Sequence, residues 1–122
     1  MPGVQVARDE LADDPTVDIT TTGRRSGQPR RFEIWMLDVD GRFFITGLPG
    51  PRDWFANLQA DPRLTVHLKR SAHVDLTATA EVVTDAATRR AVVEHLGATW
   101  YRSQRSVDDL VASAPMIEVR FA

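Results

Sequence analysis

The chain has 122 residues, 43% hydrophobic and 26% charged, with a formal net charge of −2 at pH 7. That length carries one domain with its own core, and the slight acidity argues against a wholesale nucleic-acid binder. The absence of cysteine excludes disulfides, thiolate metal sites and thiol nucleophiles together. No apolar run is long enough to span a bilayer and no signal-peptide pattern is present. The expectation is therefore a cytoplasmic protein without a membrane segment.

Residues 1–122 read as a single domain, with 1–15 as an N-terminal arm or short helix. An amphipathic helix fits 5–13, ended by Pro15. Residues 16–22 are β-branched and extended. A turn follows, Gly23-Arg24-Arg25-Ser26-Gly27-Gln28-Pro29. Gly23 and Gly27 permit positive φ, and Pro29 fixes φ before the next extended run. Arg24, Arg25, Arg30, Arg31 and Ser26 sit on or beside this turn. Successive backbone N–H groups in such a turn can form an anion-binding concavity, and arginine adds bidentate donors. Each partly desolvated, charge-assisted bond contributes about 1.5–3 kcal/mol. The residues thus read as a phosphate or polycarboxylate site, or else as a solvated basic hairpin. Asp9, Glu10, Asp13, Asp14 and Asp18 lie upstream and either pair with the arginines or solvate the N-terminus.

Residues 30–39 read as the next strand, closed by the hairpin signal Asp40-Gly41 and paired with 42–47. Phe32, Ile34 and Met36 occupy one face, and Trp35, Leu37 and Val39 the other. Burial on both sides predicts a barrel with a second element, or a second subunit, packed outside. Glu33 shares a strand face with Arg31, which makes them a candidate pair. Residues 48–51 form a loop, and 52–60 a short helix that offers Trp54, Phe55 and Leu58 for burial before Asp61-Pro62 stops it. Residues 63–69 alternate, with Leu64, Val66 and Leu68 in and Thr65, His67 and Lys69 out. Residues 74–83 alternate again. Asp85 caps a helix running to about Leu96, with Gly97 as its stop. Ser106 opens a helix to about Ser113, and 116–121 is a closing strand. About six strands and three or four helices without βαβ alternation make a mainly β, α+β chain: a small β-barrel decorated by helices. His67, His73 and His95 show no metal-ligand spacing, so no metal is expected.

Two ordered stretches carry a family resemblance, Thr20-Thr21-Thr22-Gly23-Arg24-Arg25-Ser26-Gly27-Gln28-Pro29-Arg30 and Trp54-Phe55-Ala56-Asn57-Leu58-Gln59-Ala60-Asp61-Pro62. The chain resembles the deazaflavin (coenzyme F-420)-dependent nitroreductase and quinone reductase family, in the flavin-binding split-barrel group. The resemblance covers roughly residues 18–84. It implies a split β-barrel of the FMN-binding type, a homodimer, and binding of the reduced 8-hydroxy-5-deazaflavin coenzyme, whose phosphodiester and polyglutamate tail suit an arginine turn. By motif position, Arg24, Arg25, Ser26 and Gly27 would meet phosphate and tail, with Arg30 behind them. Thr46, Gly47, Arg52, Trp54 and Asn57 would approach the coenzyme. Trp35 and Tyr101 would line the substrate side, and solvent or Tyr101 would supply a proton; no catalytic residue is assigned. The chain departs from the family pattern in its short 47–53 loop with Arg52 in place of a lysine, in Glu33 and Trp35, and in a tail without a tyrosine-rich run.

The implied activity is hydride transfer from the reduced coenzyme to a quinone, activated alkene or nitro compound. Two other readings stay open. The same barrel could carry FMN, haem or a lipid. The arginine turn could also serve a non-enzymatic anion-binding module, against which the acidic net charge counts.

Overall fold

The computed structural model describes residues 2–70, 72–95 and 98–122. Seven strands form one antiparallel sheet: β1 Thr16–Thr22, β2 Pro29–Trp35, β3 Leu37–Val39, β4 Arg42–Thr46, β5 Arg63–Leu68, β6 Val74–Val82 and β7 Met116–Phe121. Five helices accompany them among the described residues: α1 Pro2–Leu11, α2 Asp53–Ala60, α3 Ala86–Glu94, α4 Thr99–Gln104 and α5 Val107–Ser113. The strand order is β2-β1-β5-β6-β7-β4-β3. The two edge strands, β2 and β3, are consecutive in the chain and separated only by Met36. The sheet must therefore curl until its edges meet, which makes a split barrel. At that corner Met36 is fully buried, and its N–H donates to the Pro15 carbonyl at 2.8 Å.

This corner corrects the reading of 30–39 as one strand. Residues before Met36 pair with β1, and those after it pair with β4. The Asp40-Gly41 turn holds as expected, with φ of 52° and 83°, the conformation of a two-residue hairpin. The first helix spans Pro2–Leu11, displaced from the expected 5–13. Helix α4 was not expected. The Asp85 and Ser106 caps form, accepting from Thr88 N and Asp109 N respectively. Helix α3 is described to Glu94; the expected stop at Leu96 and Gly97 lies outside the described residues.

Strand alternation sorts the side chains into two cores. Ile19, Ile45, Val66, Ile117 and their neighbours fill the barrel. Leu37, Val39, Phe44 and Met116 form a second core with Val92, Val93 and Leu110 from the helices outside it. Fully burying each such aliphatic is worth about 1.5–3 kcal/mol relative to leaving it exposed. The two-sided apolar pattern is thus satisfied within one chain by α3 and α5. Arg89 laces this outer layer together, donating to the carbonyls of Val83, Val111 and Ala114 at 3.0, 2.6 and 2.6 Å. Burial lowers its pKa, and no carboxylate shares its site among the described residues.

One end of the barrel is closed by α1 and the other by α2. The α1 closure rests on Glu10, 2% exposed, whose carboxylate accepts from the backbone N–H groups of Lys69, Arg70 and Ala72 at 3.3, 3.3 and 3.0 Å. The acids upstream of the arginine turn do not reach its tip: Asp18 pairs with Arg31 and Lys69, and Asp14 with Arg70. Glu33 pairs with Lys69 instead of Arg31. His67 faces outward as expected, yet it is only 7% exposed, because Thr20 and Asp75 bracket its ring at 2.7 Å each.

Replacing Glu10 by alanine strands three N–H groups and is expected to destabilise the fold by about 2–3 kcal/mol. Thermal unfolding followed by circular dichroism should show a melting temperature lower by roughly 10 °C. A second prediction concerns acid. The hydrogen bond from Lys69 holds the Asp18 carboxyl below its ordinary 3.8, and that from Arg42 holds Glu118 below 4.5. Both folded values are depressed, so this stability is complete above the unfolded values and is lost as pH falls through the folded ones. The urea midpoint should decline below about pH 4.5, and more shallowly in Glu118→Gln.

Candidate functional site

The turn between β1 and β2 is built by three backbone and side-chain bonds. Gly23 N–H donates to Gln28 O at 2.9 Å, Gly27 N–H to Gly23 O at 2.8 Å, and Gln28 N–H to Ser26 Oγ at 3.1 Å. Gly27 adopts φ +70°, as expected. Gly23 does not; what it requires is space, since a Cβ there would lie 2.6 Å from Ser26 Oγ and 3.3 Å from Gln28 O. The N–H groups of Arg25 and Ser26 have no acceptor among the described residues, which leaves them as the open part of the turn.

Helix α2 fixes the turn in place. Asn57 is a poor choice for a helix interior on propensity alone. Its side chain is 6% exposed, and Oδ1 accepts from both Arg24 N at 3.0 Å and Arg24 Nη1 at 2.9 Å. Arg24 Nη2 also lies 3.5 Å from Asp53. Arg24 is therefore held by the protein. Arg25 and Arg30 carry no ion pair or side-chain hydrogen bond among the described residues.

Between the turn, the start of β2 and α2 lies a cleft of about 770 Å³. Its rim carries Arg24, Arg25, Ser26 and Arg30; its interior is lined by Thr21, Phe32, Trp54 and Asn57. Six of the expected residues, Arg24, Arg25, Ser26, Arg30, Trp54 and Asn57, thus meet at one place, while Gly27 supplies the turn conformation without lining the cleft. Thr46, Gly47 and Arg52 do not line this cleft. The Thr46 hydroxyl donates to Pro115 O at 2.9 Å, and Arg52 Nη2 donates to Leu48 O at 3.1 Å, stapling the 47–52 loop behind Trp54. Trp35 and Tyr101 also lie outside it. Trp35 sits about 10 Å beyond Phe32 along β2, packed edge-to-face with Tyr101 and Trp100 at centroid separations of 5.8 and 6.2 Å. Burial raises the Tyr101 pKa.

Sequence reasoning missed two groups. Thr21 is 1% exposed, and its Oγ1 has no hydrogen-bond partner among the described residues. The Thr20–His67–Asp75 chain crosses three strands on the outer face, in the order of a nucleophilic triad. Thr20 sits in mid-sheet, between Arg31 of β2 and Thr65 of β5. Its flanking strands occupy the backbone donors that an oxyanion would need, so the chain of bonds reads as a structural tie. The only advance sign of it was the outward position of His67 in β5.

A sequence model of the family described as F420H(2)-dependent quinone reductase matches residues 3–110. The chain belongs to that family. This reductase is an oxidoreductase whose cofactor is coenzyme F420. Its fold is similar to that of a protein from Clostridium acetobutylicum related to general stress protein 26, of the pyridoxine phosphate oxidase family. That pair is 16% identical, with a TM-score of 0.73 over 98% of this chain and 84% of the other. A FAD-binding protein from Mesorhizobium loti is 13% identical, with a TM-score of 0.68 over 97% and 88%. A solved F420-H2 dependent reductase, FDR-A, is 19% identical, with a TM-score of 0.58 over 88% and 95%. These likenesses establish the split barrel.

The residues present fit the coenzyme. Two unpaired guanidinium groups and two open N–H groups suit an anionic tail. A partly aromatic interior with a buried hydroxyl that has no partner among the described residues suits a flat ring system with polar edges. Asn57→Ala removes the shared acceptor of Arg24 and should cost the reductase about 1–2 kcal/mol of stability. Because the turn loses its anchor, coenzyme affinity should fall roughly tenfold as well, as read by fluorescence titration beside a urea melt.

Proposed function

We propose that the reductase transfers a hydride from reduced F420 to an electron-poor acceptor: a quinone, an activated alkene or a nitro compound. The observation that carries this reading is the pairing of free cationic donors at the cleft rim with the buried, partly aromatic interior behind them. Arg25, Arg30 and the N–H groups of Arg25 and Ser26 would hold the phosphodiester and glutamyl tail. Trp54, Phe32 and the Nδ2 group of Asn57 would face the ring, while Arg24 fixes the turn that carries the donors. When bound, the reduced coenzyme supplies the hydride; the chain supplies grip, orientation and a positive field. That field favours the negative charge of the oxidised coenzyme. The acceptor would approach the exposed ring face, with solvent as the proton source, since Tyr101 lies outside the cleft.

The proposal includes a cytoplasmic homodimer. What supports the assembly is Trp100, 49% exposed beside Trp35, an aromatic surface outside both cores. Two-sided burial of β3 no longer supports it, because helices of the same chain provide that cover.

The test is fluorescence titration with oxidised F420. Saturable binding is expected, weakened about tenfold to a hundredfold in Arg25→Ala through loss of one charge-assisted contact. No saturable binding, unchanged binding in Arg25→Ala, or tighter binding of FMN would overturn the reading.

A further inference from the structure

The cleft is graded in polarity. Its rim is exposed and cationic, at Arg25 and Arg30. Its inner end holds Thr21, whose hydroxyl is buried and unpartnered. Buried hydroxyls are almost always hydrogen-bonded, so an orphan one marks a place where a partner is missing. Thr21 shares the inward alternation of Val17 and Ile19 on β1. It lies directly across from Arg30 in the β1–β2 pair. Phe32, Trp54 and Asn57 line the same cavity. Thr21 also borders a second groove of about 540 Å³, lined by inward-facing Leu64 and Ala78 as well as by Thr20 and Thr22. The cations there, Arg63 and Arg120, are paired with Asp61 and Glu81, whereas Arg25 and Arg30 have no ion pair among the described residues.

We infer that Thr21 is a ligand-binding residue whose hydroxyl pairs with an uncharged hydroxyl or carbonyl on the tail-free half of the coenzyme. The inference rests on the F420 reading and adds a direction to it: the tail stays at the arginine rim, and the ring-bearing half enters toward Thr21. It also assigns the orphan hydroxyl a cost in the free protein. Removing that hydroxyl without changing the side chain's shape should help folding and harm binding, two effects of opposite sign.

The test compares full F420 with its phosphate-free deazaflavin fragment, each titrated by fluorescence, alongside thermal melts. Thr21→Val is expected to raise the melting temperature by a few degrees and to weaken both ligands by the same factor, about fivefold to tenfold. Thr21→Ser keeps the hydroxyl and should bind both within about twofold of the parent. Arg25→Ala should weaken the full coenzyme and leave the fragment unchanged. If Thr21→Val binds the fragment as the parent does, or if Thr21→Ser loses as much as Thr21→Val, the assignment of the hydroxyl is overturned while the F420 reading stands. If the parent protein binds neither ligand, both fall together.

Discussion

One oxygen atom organises the cleft between the arginine turn and helix α2. Asn57 Oδ1 takes two hydrogen bonds from Arg24, one from its backbone and one from its guanidinium. These join a turn between two strands to a helix 33 residues away. Without that junction the Gly23–Gly27 turn would be a solvated hairpin, as its composition alone allows. With it, Arg25 and Arg30 are carried on a fixed frame while remaining unpaired. Preorganisation of this kind lowers the ordering cost of binding.

The arginines divide into those that build and those that remain available. Arg24 serves Asn57, Arg31 serves Asp18, Arg42 serves Glu118, and Arg89 serves a set of backbone carbonyls. Two of these, Arg31–Asp18 and Arg42–Glu118, are ion pairs whose guanidinium groups stay half exposed, and such pairs add little stability each. Strand alternation and Lys69 hold Asp18 and Glu33 on the outer face, and Asp53, which does line the cleft, is turned toward Arg24. The cleft keeps a local positive field inside an acidic chain.

Much of the fold was legible because local chemistry dictated it. Asp40-Gly41 needed two positive φ angles, Asp85 and Ser106 were good N-caps, and alternation in 63–68 matched the pleat. The motif at 20–30 and Asn57 were legible together as a candidate site because a family pattern joins them, and they do adjoin in the fold. What escaped depended on distant partners. Met36 divides one extended run only because its neighbours pair with different strands. Glu10 looks like solvating charge until its three N–H partners, some 60 residues away, are in place. Thr21 reads as an ordinary strand threonine, and its significance lies in a bond it fails to make. Thr46 and Arg52 match the motif by position, yet the Thr46 hydroxyl bonds Pro115 O, Arg52 bonds Leu48 O, and neither lines the cleft.

Strand β7 lies between β6 and β4, although it is the last strand in chain order. Hairpins β1–β2, β3–β4 and β5–β6 can each form as soon as they are synthesised. None of them can close the barrel, since β4 has no route to β6 until residues 116–121 arrive. During translation the chain can therefore assemble the β2-β1-β5-β6 sheet and the β3–β4 hairpin, but their apolar faces stay open, and closure is a late, long-range event. The keystone of the assembly is thus a six-residue segment, remote in sequence from the arginine turn that needs the barrel to stand on.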